Sequence, residues 1–144
     1  MRLRTLILSF MLAVTLPTLG QEPDNRTPLE RYEADSKSTL YLCKLTFKLA
    51  LIKSDGGQAQ DEKSDWAACI RNGKTTANAR FDKALLTVKK SKAKEALKTY
   101  QVAYMAAIDG INPGSDERRI NYEQRQQSLE GKLTEAWARF EIEK

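Results

Sequence analysis

Histidine is absent from this chain of 144 residues, and cysteine occurs only twice. The first absence removes Ser-His and Cys-His nucleophile pairs, imidazole metal ligands, and the one side chain whose unperturbed pKa lies near neutrality. The second leaves Cys43 and Cys69 with no partner except each other. Glycine is sparse, and the one adjacent pair, Gly56-Gly57, has neither the spacing nor the Lys-Ser/Thr of a phosphate-cradling loop. The nineteen acids are scattered over faces that read as wet, where a carboxylate is a solvated charge more often than half of an acid-base pair. The expectation is a protein that is not an enzyme and holds no cofactor or metal.

A long uncharged apolar run occurs only at the N-terminus. Leu6 to Leu16 follows Arg2 and Arg4 and is closed by Pro17 and the small Gly20. That run is short for a spanning helix, and the pattern reads as a signal peptide over residues 1–20, cut after Gly20 with Thr18 three positions before the cut. No cysteine lies at the cut to take a lipid. The short Arg-led signal points to a bacterial chain, bound for the periplasm or secreted. Residues 21–26, polar and containing Pro23, read as a flexible N-terminus, and residues 27–144 as a single helical domain. Removal of the signal takes two Arg and no acid, so the net charge falls from +5 to +3. That is too mild for a dedicated nucleic-acid binder, and nucleic acid is not an expected partner.

The domain opens on a capping box, with Thr27 at the cap, Pro28 first and Glu30 third. No glycine or proline interrupts the stretch from Leu29 to Lys53, so its local alternation of Leu45, Phe47, Leu49 and Leu51 yields to a helix on length alone. On that helix Leu40, Cys43, Phe47 and Leu51 form one apolar stripe, and Leu42, Leu45, Leu49 and Ile52 a second. Two stripes predict a central helix covered on both flanks, with Lys37, Tyr41, Lys44 and Lys48 on a basic seam between them.

Ser54-Asp55-Gly56-Gly57-Gln58 reads as the loop to a second helix, from about Asp61 to Lys89, whose face is Trp66, Cys69, Ile70, Gly73, Ala77, Phe81, Ala84, Leu85 and Val88. The small Gly73, Ala77 and Ala84 allow a neighbouring helix to approach closely. A turn is expected near Lys90 to Lys92, with Ser91 capping a third helix; the competing reading is one uninterrupted helix. Asp109 to Gly114 ends that helix, and Ser115 reads as the cap of a fourth, with Asp116 and Glu117 in its first turn. Its face is Ile120, Tyr122, Leu129, Leu133, Ala136, Trp137 and Phe140, with the aromatics read as core.

These elements predict an all-α fold, an antiparallel bundle of three to four helices with one inter-helix disulfide. Cys43 lies about ten residues before the first loop and Cys69 about eight after it, nearly the same height on antiparallel neighbours. An exported chain is oxidised, so a Cys43–Cys69 bridge is expected; the competing reading keeps both thiols free and buried.

Two basic features are candidate contact surfaces. One is the Lys37, Tyr41, Lys44 and Lys48 seam. The other gathers Lys89, Lys90, Lys92 and Lys94, with Lys83 and Lys98 beside them and only Glu95 opposing. The plain alternative for each is a solvated face.

Cys69, the Phe81-Asp82-Lys83-Ala84-Leu85 segment, and Leu97-Lys98-Thr99-Tyr100-Gln101-Val102-Ala103-Tyr104 together resemble the small exported helical proteins grouped with the LprI-type lysozyme inhibitors. In those proteins a cysteine precedes a helical hairpin whose second arm carries a Gln followed by an aromatic, usually Trp. This chain has Tyr104 there, lacks the cysteine that closes the second arm, and adds a fourth helix. The resemblance covers about a quarter of the chain and implies a binding role without assigning inhibitory residues. The expected function is an exported, non-enzymatic helical binding protein of the bacterial envelope, its partner another envelope protein. The alternatives are a lysozyme-inhibitor-like protein and a lysine-mediated binder of an anionic envelope polymer or lipid head groups. The pattern fixes no oligomeric state.

Overall fold

A computed structural model describes residues 24–55, 63–114 and 116–144. It is all-α, with helices α1 (Pro28–Asp55), α2 (Lys63–Thr87), α3 (Ser91–Asp109) and α4 (Arg119–Glu143). The signal peptide, the start of α2 expected at Asp61, the Gly56-Gly57 turn and Ser115 itself lie outside the described residues.

Helix α1 begins where the capping box places it. The Thr27 amide donates to Glu30 Oε2 at 2.7 Å, and the Glu30 amide donates to Thr27 Oγ1 at 3.3 Å. Just upstream, Asp24 pairs with Arg26 at 2.8 Å and Arg31 at 3.2 Å. The hydrogen bond from Arg26 holds the Asp24 carboxyl down to about 2.

The helices run antiparallel to their neighbours in sequence. Tyr32 meets Phe81 and Phe47 meets Trp66, so ascending α1 faces descending α2. Asn78 meets Gln101 and Lys74 meets Asp109 across α2 and α3. Tyr100 meets Trp137, and the Gly110 carbonyl meets Arg125, across α3 and α4. Cys43 and Cys69 are joined, with Cα atoms 5.5 Å apart, so the expected staple ties α1 to α2.

Two core clusters fill the bundle. One end holds Leu40, Cys43, Phe47, Trp66, Ile70, Ala77, Tyr104, Ala107, Ile108 and Ile111. The other holds Tyr32, Ala84, Val88, Ala93, Ala96, Leu97, Tyr100, Ala136 and Phe140. Gly73 marks the point where three helices meet. A Cβ there would lie 2.6 Å from Thr39 Cγ2 of α1 and 2.7 Å from Ile108 Cδ1 of α3, so only glycine permits the approach.

The break between α2 and α3 falls at Val88 to Lys90, slightly ahead of the expected turn, without help from glycine or proline. In a continuous helix, residues five apart lie about 140° apart around the axis. An extended Lys90, at φ −72° and ψ 133°, instead lets Val88 and Ala93 enter the same core. Ser91 is therefore the first helical residue, and the cap position belongs to Lys90, whose side chain makes no capping hydrogen bond.

Two further expectations are corrected. Helix α4 starts at Arg119, not beside Ser115, and Glu117 is spent before it. The Glu117 carboxylate accepts from the Gly114 amide at 3.1 Å and pairs with Arg125 at 2.6 Å, clamping the turn. Hydrogen bonding from Arg125 lowers the Glu117 pKa. Ile120, assigned to the apolar face, lies in the first turn of α4 and is 62% exposed.

Candidate contact surfaces

The inner surface of α1 is built by Tyr32, Ser36, Leu40, Cys43 and Phe47, all buried. Phe47 lies edge-on to Trp66 with ring centres 5.3 Å apart, and 5.5 Å from Tyr122 of α4. Tyr32 donates through its hydroxyl to Gln101 Oε1, while Gln101 Nε2 donates to Asn78 Oδ1 at 2.7 Å. This buried polar chain links α1, α3 and α2, and was not foreseen. Its signal in the sequence is Gln101 itself, a polar residue on a face otherwise made of Leu97, Tyr100, Tyr104 and Ile108. The hydroxyls of Tyr100 and Tyr104 have no partner among the described residues. Burial raises the pKa of Tyr32 and Tyr100, and pushes Tyr104 up to about 12.

The basic seam of α1 divides in two. Lys37 pairs with Glu33 at 2.6 Å and sits 5.3 Å over the Trp137 ring; Lys44 pairs with Glu130. Both therefore strap α1 to α4. Tyr41 and Lys48, on the same arc, are exposed. The four residues do not form one contact surface: two hold the bundle together and two border its outside.

The second apolar stripe of α1 is the main departure from expectation. Leu42 is 51% exposed, Leu45 40%, Leu49 48% and Ile52 66%, with Tyr41 at 66% beside them. Leu51, assigned to the inner stripe, is also 46% exposed near the end of the helix. Among the described residues, helix α1 is thus covered by α2, α3 and α4 on one side only. The expected cover on both flanks is corrected: among the described residues the bundle supplies neighbours for one stripe, and its last member, Leu51, lies beyond them.

The lysines around the α2–α3 turn do not form an unopposed basic patch. Lys89, Lys90 and Lys92 are exposed and Lys94 is half-buried. Lys90 Nζ donates to the Lys144 carbonyl at 2.6 Å, and Lys98 pairs with Glu95 at 2.8 Å. Lys92 borders a surface depression of about 370 Å³ shared with Glu95, Thr99, Arg139 and Glu143. The depression mixes both signs of charge, so it has no net preference for an anionic surface.

Among the described residues, no group of three or more Cys, Asp or Glu side chains is gathered as a metal site requires, and no helix is long and apolar enough to cross a membrane. Compared with known protein families, curated proteins and solved structures, the chain matches none.

Proposed function

We propose that this chain is an exported, non-enzymatic helical binding protein of the bacterial envelope, whose partner is another envelope protein docking on the outer face of α1. The observation that carries the reading is the row of Tyr41, Leu42, Leu45, Leu49 and Ile52, five large apolar side chains left in water on one helix. Contiguous apolar surface is a solubility liability, and where a protein keeps it, it marks a contact site. The Cys43–Cys69 bridge supports delivery to an oxidising compartment. The lysine-mediated alternative has less behind it, because Lys37, Lys44 and Lys90 are engaged within the molecule.

The test has two parts. The exported protein should have an intact mass that lacks residues 1–20 and is two hydrogens lighter than the reduced chain. Immobilised mature protein should retain a specific species from an envelope extract at both low and high salt, and a Leu45→Glu, Leu49→Glu variant should release it. Retention by the variant that disappears at high salt would replace this reading with the lysine-mediated one.

A further inference from the structure

We draw no further inference here: the strongest candidate, the exposed apolar face of α1 formed by Leu42, Leu45, Leu49 and Ile52, belongs to the binding surface already proposed, and nothing in the structure shows what covers it.

Discussion

The two sides of α1 are made of the same kinds of residue at the same spacing and have opposite fates. Leu40, Cys43 and Phe47 are within a few per cent of complete burial, whereas Leu42, Leu45 and Leu49 keep 40% or more of their surface in water. The inner side is fixed by interactions that name specific partners: a covalent bond to Cys69, an aromatic contact to Trp66, and the Tyr32 hydroxyl on Gln101. Among the described residues the outer side has no such interaction. Hydrophobic periodicity therefore reports which residues share a face, while the number of neighbouring helices decides which face is core.

The largest expected effect lies on the inner side. Phe47→Ala removes a ring packed between Trp66 and Tyr122, and should lower the unfolding free energy by about 3–5 kcal/mol in a urea titration. The matching outer change, Leu49→Ala, should cost well under half as much, since much of that side chain is already hydrated. Equal losses would mean that the outer face is core in solution.

What was legible in the sequence followed from local chemistry. Thr27 and Glu30 announce the start of α1 because a capping box needs only four consecutive residues. The bridge was readable because the chain's two cysteines lie at matched heights on antiparallel neighbours. Gly73 was readable because a glycine in mid-helix has a cost that close packing offsets. What was missed depends on tertiary neighbours. Ser115 lies in a good capping pattern, yet Glu117 is captured by Arg125 and α4 starts later. Lys37 and Lys44 look solvent-facing on a wheel, but α4 passes close enough to take both. The outer stripe was assigned a cover because apolar residues usually have one, and no pattern within α1 could count its neighbours.

Next in size is the staple. Cys43→Ser releases a loop closed over a sequence separation of 26, worth about 3–4 kcal/mol in the chain-entropy view. The melting temperature of the oxidised protein should fall accordingly, and reduction of the parent should give the same drop. A smaller loss on reduction than on substitution would show that Cys43 contributes packing as well as connection.

The inner polar chain separates two tyrosines of equal burial. Tyr32→Phe strands the Gln101 carbonyl oxygen and should cost about 1–3 kcal/mol, whereas Tyr104→Phe deletes a hydroxyl that has no partner and should be near neutral. The same burial predicts alkaline unfolding. Tyr32, Tyr100 and Tyr104 have raised folded-state pKa values, with Tyr104 at about 12. Their contribution is fully present below pH about 10, where unfolded phenols titrate, and is lost as pH rises from there through about 12. Tyrosinate absorbance rising together with loss of helical circular dichroism is the expected observation; ionisation of all the tyrosines in a still-folded protein contradicts it.

The smallest effect on stability is expected where the effect on function should be greatest. Leu45→Gln with Leu49→Gln keeps helix propensity nearly unchanged, because leucine and glutamine are close on that scale. It removes only apolar surface that is half in water, so the unfolding free energy should change by about 1 kcal/mol or less. The apolar patch itself should disappear, seen as weaker binding of a hydrophobic dye and weaker retention on a phenyl column. A binding surface must behave this way, since its apolar residues are retained for contact with something outside the fold. If the double variant instead melts many degrees lower at micromolar concentration, and the parent's melting temperature rises with concentration, the outer stripe is already buried between copies of the chain. The difference between the two sides of α1 would then belong to the isolated chain and not to the protein in solution.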